Sequence, residues 1–335
     1  VLGSGTVNAD GTYSFAINNG YSGPVIVRVV DSNPNPDYVD EATRQPIDLS
    51  ADLRAFSTVV GNGTYTVNIN PLTELVVRRA GLNGGDQSTS QLVASSLANA
   101  TDPAALIARA NAEVAQALGL NPTQPISTIT PVSTVTASGA PNAGADTVGT
   151  LLAAISGSER GTGSNTNQVL NNLVNSITTT PTGTAQLTAT AQRDLLIGAA
   201  NSDLNREVNT TNTLAVTLGV PTTTAQIIQT TIQTLTAVAE GRITPQAANV
   251  TPEQLAAVGV TLPSTTTAAD FVNRVATQTT GDRVNSTAEL QALVLGTVAP
   301  TPAPTAAPSA GPTASPAPAP ATPAPNHRRP RRRQV

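Results

Sequence analysis

Six of the chain's 21 acidic residues fall within 22 positions: Asp31, Asp37, Asp40, Glu41, Asp48 and Asp52. Carboxylates at this density are the oxygen ligands that a hard cation takes. They make Asp31, Asp37, Asp40 and Glu41 the candidate calcium ligands of the sequence. Their order does not follow the calcium loop of helix–loop–helix proteins, and Arg44 and Arg54 are interleaved. The competing reading is a solvated acidic loop.

Other chemistries fail on inventory. There is no Cys, hence no thiol nucleophile, disulfide, thiolate zinc site or iron–sulfur cluster. All 17 basic residues are Arg, so Schiff-base chemistry and a phosphate-binding lysine are absent too. The single histidine, His327, lies between Pro-rich and Arg-rich sequence. A Ser-His-Asp arrangement needs its imidazole held rigidly, and a tail does not supply that. Carboxylate-pair hydrolysis survives, but Glu159, Glu207, Glu240 and Glu253 are scattered with no spacing that demands a shared site. Stacking platforms for sugars are scarce: after Tyr65 the only aromatic residue is Phe271. Tyr13, Tyr21, Tyr38 and Tyr65 are the tyrosines left for a glycan-binding surface, and the patterning places Tyr13 and Tyr65 in the core.

The elements that would position these residues divide at two shifts of composition, near residues 70 and 300. Before the first lie six of the seven aromatics and most of the period-two patterning. Tyr13, Phe15 and Ile17 alternate over 12–18, after the Asp10-Gly11 turn signal. Gly23-Pro24 opens the β-branched run 25–30, suited to a buried strand. Residues 53–60 and 64–69 read as two more strands around Asn62-Gly63. Four strands in 1–70 predict a small antiparallel β-sandwich.

Asn70-Pro71 marks a switch to helix, with Asn to cap, Pro at the first helical position and Glu74 in the first turn. Helices are expected at 72–80, 89–99 and 103–118, then at 146–156, 167–177, 184–208 and 224–240. Between them, 121–143 holds four prolines and reads as a loop. Exposed faces carry Asn, Gln and Thr rather than charge. Thr is a mediocre helix former, so these helices must gain stability by burying their apolar stripes together. Residues 244–298 form a three-helix module with pieces at 252–258, 268–276 and 287–295. Ser286 and Glu289 offer a capping box for the last of these.

The tail 299–335 alternates Pro with Ala, Thr and Ser, then ends in Arg328, Arg329, Arg331, Arg332 and Arg333. It cannot bury enough apolar surface to fold and is expected to be disordered. The terminal arginines attract anionic polymers by charge alone. No aromatic is interleaved for base stacking, so no specific nucleic-acid partner is expected. The apolar run 24–30 falls far short of the roughly 20 residues of a membrane helix. The chain opens on Val1 without a charged and apolar leader, which reads as a mature chain or a fragment. Five Asn-x-Ser/Thr sequons, at Asn62, Asn99, Asn209, Asn249 and Asn285, arise readily by chance in a chain so rich in Thr and Asn.

Two resemblances follow from these residues. Asp10-Gly11-Thr12-Tyr13-Ser14-Phe15 and Gly23-Pro24-Val25-Ile26-Val27 resemble the carboxypeptidase-regulatory-like and immunoglobulin-like β-sandwich modules of bacterial surface proteins. Tyr38-Val39-Asp40-Glu41-Ala42-Thr43, Leu53-Arg54-Ala55 and Asn70-Pro71-Leu72-Thr73-Glu74-Leu75 are similar to secreted or surface-anchored bacterial proteins that join such a sandwich to a helical region. Together they span roughly residues 1–156.

A second resemblance rests on Leu255-Ala256-Ala257-Val258-Gly259-Val260, Phe271-Val272-Asn273-Arg274-Val275 and 286–293. These are similar to three-helix modules repeated in large surface proteins, including the albumin-binding kind. The chain departs from those in lacking Lys-rich helices and tyrosines, so host-protein binding is not carried over. Neither resemblance places a catalytic group.

The expected whole is an α+β multidomain chain: a β-sandwich at 1–70, a helical region at 71–243, the module at 244–298 and the tail. The resemblances imply a bacterial extracellular or cell-surface location. The expected function is that of a non-catalytic structural or adhesin-like protein. One alternative is a filament or sheath subunit that self-associates through strands of the N-terminal β domain. Another is a protein that binds or degrades polysaccharide. The expected partners are copies of itself and a surface glycan or matrix polymer, with no cofactor beyond the calcium candidates.

Overall fold

The computed structural model describes residues 1–8, 10–17, 20–30, 35–36, 38–42, 45–49, 51–61, 63–81, 100–136, 140–142, 144–159, 165–203, 209–277 and 286–295. The helix expected at 89–99 and the tail expected at 299–335 lie outside these residues. The chain divides into a unit Val1–Thr301 and a unit Pro302–Val335. The first is mixed α and β, with ten helices and three small antiparallel pairs of strands among its described residues.

Two of the four expected strands pair. Strand β1 (Gly23–Val29) runs antiparallel to a later strand, β4 (Leu53–Val59), in a register from Gly23 opposite Val59 to Val29 opposite Leu53. Between them, β2 (Tyr38–Val39) and β3 (Pro46–Ile47) close the acidic stretch into a short hairpin. The pairing brings Arg28 beside Asp52, whose carboxylate accepts from its guanidinium.

Alternation along a strand aims carbonyls two residues apart at the same edge. On β4, Arg54 O accepts from Thr73 Oγ1 and Phe56 O accepts from Ser127 Oγ, each at 2.9 Å. Side-chain hydroxyls thus occupy an edge that another strand would otherwise take.

The strands expected at 12–18 and 64–69 do not appear as strands among the described residues. Val7 and Tyr13 form an isolated bridge. The rings of Tyr13 and Phe15 stack with centroids 6.0 Å apart. Tyr13 Oη donates to Val67 O at 2.6 Å, and Asn68 N donates to Ser127 O at 2.8 Å. The backbone of 63–69 is therefore satisfied by single crossings rather than by a ladder, which period-two patterning alone cannot distinguish.

Helix α1 (Pro71–Arg79) begins where the chain chemistry demands. Asn70 Oδ1 accepts from the amides of Leu72 and Thr73 at 2.9 and 3.1 Å, while Thr73 Oγ1 accepts from Asn70 N at 3.0 Å. This reciprocal cap, with Pro71 at the first position, uses up otherwise unpaired donors. The helix lays Leu72, Leu75, Val76 and Val77 against β4 and the other helices. Helix α2 (Pro103–Ala117) starts with a one-way cap, Asp102 Oδ1 accepting from Ala105 N at 3.0 Å with Pro103 at the first position, and stops near Gly119 at φ 70°.

After the loop come α3 (Thr147–Glu159) and α4 (Thr166–Asn175), then the strands β5 (Ile177–Thr179) and β6 (Ala185–Leu187). Helices α5 (Ala189–Asp203), α6 (Thr210–Leu218) and α7 (Thr222–Ala239) complete this part. The β5–β6 hairpin corrects the expected helices at 167–177 and 184–208. β5 is β-branched throughout, and Thr180, Pro181 and Gly183 turn the chain into β6, with Gly183 at φ 84°. Turn chemistry overrides the apolar spacing there.

The closest helix contact joins α3 to α5. A Cβ added at Gly157 would lie 1.9 Å from Gly198 O, and one at Gly198 would lie 2.1 Å from Ala154 O. Glycine lets the two backbones touch. Ser202 Oγ then donates to Ala153 O at 2.5 Å across the contact.

Helices α8 (Pro252–Ala257), α9 (Ala268–Ala276) and α10 (Thr287–Leu295) fall at the three expected positions. Their apolar side chains, Leu255, Phe271, Val275 and Leu290 among them, join the same core as those of α5 and α7. Helix α10 is gripped at both ends by charges that complement its dipole. Asp194 Oδ1 on α5 accepts from Thr287 N at 2.9 Å, and Arg274 NH1 donates to the carbonyls of Leu293 and Val294. Among the described residues no helix is long and apolar enough to cross a membrane.

Candidate functional site

Two clusters of charged side chains stand out. The first grows from the acidic stretch. The β2–β3 hairpin brings Asp40, Glu41 and Ala42 against α3 and the chain at 132–136. Asp40 is 4% exposed, and its Oδ1 accepts from Ser156 Oγ. Ser156 Oγ in turn accepts from Ala42 N at 2.9 Å. Glu41 Oε1 accepts from Ser133 Oγ at 3.2 Å. One turn beyond Ser156 on α3 sits the half-buried Glu159, whose Oε2 accepts from Thr166 Oγ1 at 3.0 Å. Burial pushes the Glu159 carboxyl up to about 8, with the charges of Asp40 and Glu41 adding to the effect. Glu159 therefore keeps its proton at neutral pH.

Of the four calcium candidates, Asp31 and Asp37 lie outside the described residues. Asp40 and Glu41 are neighbours, each engaged by a serine hydroxyl. Among the described residues no group of three Asp, Glu or His converges closely enough to hold a metal ion. Ser156 and Asp40 do not make a nucleophile pair. The serine is buried and donates to the carboxylate, and among the described residues no imidazole lies beside it to take its proton.

The second cluster is Arg54, Glu74 and Arg78. All three side chains are fully buried. Arg54 Nε and NH2 reach the Glu74 carboxylate at 2.9 and 2.5 Å, and Arg78 Nε reaches it at 2.8 Å. Arg78 then spends its remaining nitrogens on α4: NH1 on Asn171 Oδ1 at 2.8 Å and Asn167 O at 3.1 Å, NH2 on Asn167 Oδ1 at 2.7 Å. A strand, α1 and α4 are joined by one ionic network. The sequence carries a signal for it that composition misses. Arg54 interrupts the apolar run of a strand, and Glu74 and Arg78 are four apart on one helix.

The remaining residues of interest stay apart. Glu240 pairs with Arg242 at 2.5 Å in the turn after α7, and Glu253 is exposed in the first turn of α8. Glu207 and His327 lie outside the described residues. The hydroxyls of Tyr21 and Tyr65 serve nearby backbone: Tyr21 donates to Pro24 O at 2.7 Å, and Tyr65 exchanges hydrogen bonds with Val60. Tyr65 is 38% exposed, not the core residue its pattern predicts. No protein-family model, no curated protein and no solved structure matches this chain.

Proposed function

We propose that this chain is a non-catalytic structural or adhesin-like component of a bacterial surface. The single observation that supports it most is where its polar chemistry goes. Asp40, Glu41, Glu74, Arg54 and Arg78 all bond to other residues of the fold. An active site needs nucleophile, acid and base aimed at a shared point in a cleft, and the carboxylates of Asp40, Glu41 and Glu74 are aimed at hydroxyls and arginines instead. The uncharged Thr, Asn and Gln faces fit a protein that presents surface rather than processes a substrate. In this reading β1 and β4 are the inner part of a small β-sandwich over 1–70, of the carboxypeptidase-regulatory-like kind. Immunogold labelling of intact cells of the source organism tests it. Labelling of the outer surface is expected, and labelling confined to the cell interior would remove the proposal.

A second reading is a subunit that assembles by strand exchange. The β4 edge is occupied by the hydroxyls of Thr73 and Ser127, whereas β1 pairs only with β4 among the described residues. Residues 1–7, which carry no charged side chain, are largely exposed, including Val7 at 51%. An open edge and an uncharged ribbon are the two halves of strand addition. Light scattering at rising concentration decides it: growth of a polymer favours assembly, and a monomer throughout rules it out.

A further inference from the structure

Between β4 and the chain at 68–70, a hydroxyl residue is spliced into each rung that a ladder would use. Where a ladder carries Asn68 N to Phe56 O, Asn68 N donates instead to Ser127 O at 2.8 Å, and Ser127 Oγ donates to Phe56 O at 2.9 Å. Where the next rung carries Asn70 N to Arg54 O, Asn70 N donates to Thr73 Oγ1 at 3.0 Å. That hydroxyl shares its proton between Arg54 O at 2.9 Å and Asn70 O at 2.8 Å. We propose that β4 and residues 64–68 are the two arms of an unclosed β-hairpin, and that the turn 126–128 is the wedge between them. When the wedge withdraws, 64–68 closes onto β4 as a third strand beside β1.

Both spliced rungs belong to one antiparallel register. It places Asn68 opposite Phe56 and Asn70 opposite Arg54, so Thr66 falls opposite Thr58 and Val67 opposite Ser57. Three residues, 61–63, are left to turn the chain, a length that hairpins use. The same register puts Tyr65, Val67 and Ile69 on the face of Ala55 and Val59, both of which are buried. Thr58 and Thr66, paired on the opposite face, are both exposed. Hydrogen bonds and apolar alternation thus select the register independently. Closure gives the alternation of 64–69 a use that single crossings do not.

The wedge has a hold of its own outside the sheet. Ile126 is buried, and its N–H donates to Asn111 Oδ1 at 2.9 Å. Asn111 Nδ2 donates to Gln124 O at 3.0 Å, so the turn is tied to α2. Ser127 Oγ ties the same turn to β4. Loss of that hydroxyl takes the donor from a carbonyl of a buried residue, Phe56, and direct pairing with Asn68 N restores one.

The chain has no cysteine, so an introduced pair reads closure without background thiols. In the proposed register Ser57 and Val67 are a non-hydrogen-bonded pair, with Cα atoms about 4.5 Å apart once closed. A disulfide spans that distance. The full chain carrying Ser57→Cys and Val67→Cys is oxidised with glutathione disulfide, which takes up the electrons and protons of the two thiols. Adding Ser127→Ala is expected to speed the cross-link roughly tenfold, the factor set by stranding one buried carbonyl in the open form. Asn111→Ala leaves the Ser127 side chain in place and frees the turn from α2, and it is expected to speed the cross-link too. The pair Ser57→Cys and Thr66→Cys controls for general loosening, because a shift of one residue turns the side chain to the other face. A rate left unmoved by either Ser127→Ala or Asn111→Ala overturns the proposal. Equal acceleration of the in-register and out-of-register pairs overturns it as well.

Discussion

The Arg54 guanidinium grips the Glu74 carboxylate through two of its nitrogens, and both side chains are fully shielded from solvent. With Arg78 on the same carboxylate, two buried cations share one anion, and the side chains of Asn167 and Asn171 on α4 hold Arg78 further. Such a group stabilises only while complete. Removing one member leaves an uncompensated buried charge, whereas replacing the whole set by apolar side chains is often tolerated.

Glu74→Ala is expected to lower the unfolding free energy by about 3–5 kcal/mol, since it strands both arginines. The triple replacement Arg54→Met, Glu74→Leu, Arg78→Met is expected to cost less than that single change. Urea unfolding of the two variants checks the order. A triple variant weaker than Glu74→Ala would mean that the network, not the shielding of its charges, carries the stability.

The α3–α5 contact predicts an asymmetry among glycines. Gly157→Ala and Gly198→Ala each drive a methyl group into a facing backbone carbonyl and are expected to cost at least about 1–3 kcal/mol through forced separation of the helices. An added Cβ at Gly183 meets no atom within 4 Å, so only its φ of 84° opposes Gly183→Ala. That change is expected to cost about 1 kcal/mol. Thermal melts of the three variants compare them directly.

Stability is expected to decline as pH rises from 4.5 to about 8 because of Glu159. Its folded pKa, about 8, lies above the ordinary value of 4.5, so the folded chain holds this proton more tightly than the unfolded one. The resulting stabilisation is complete below the ordinary value and is lost as pH rises through about 8. Denaturant midpoints measured across this window should fall for the native chain and flatten for Glu159→Gln.

Asn70→Ala removes the acceptor for two amides at the start of α1 and is expected to cost about 1 kcal/mol. Asn70→Asp keeps the acceptor and is expected to retain most of the helix. Chemical denaturation of the pair separates capping from side-chain volume.

How far the sequence disclosed this structure depends on the kind of signal. Helix starts marked by a capping residue, as at Asn70, Asp102 and Ser286, fall where expected, because capping is local chemistry. Strands resting on period-two alternation were ambiguous. Residues 64–69 alternate as a strand does, yet they are extended chain anchored by Ser127 and Tyr13. Helix α6 was hidden because Thr210 and Thr211, polar by composition, are fully buried and blur its apolar stripe. The candidate site was half legible. Acid density points to Asp40 and Glu41, but Glu159 is more than a hundred positions away in the chain, and only folding brings it there.

A chain without lysine offers trypsin only arginine bonds, and the network hides two of them. Cleavage after Arg54 or Arg78 requires the strand and α1 to part. When opening and closing outpace the protease, the cutting rate reports the population of that open form. Digestion at these two bonds is therefore a built-in gauge of the junction between sheet and helices, read without any label or mutation.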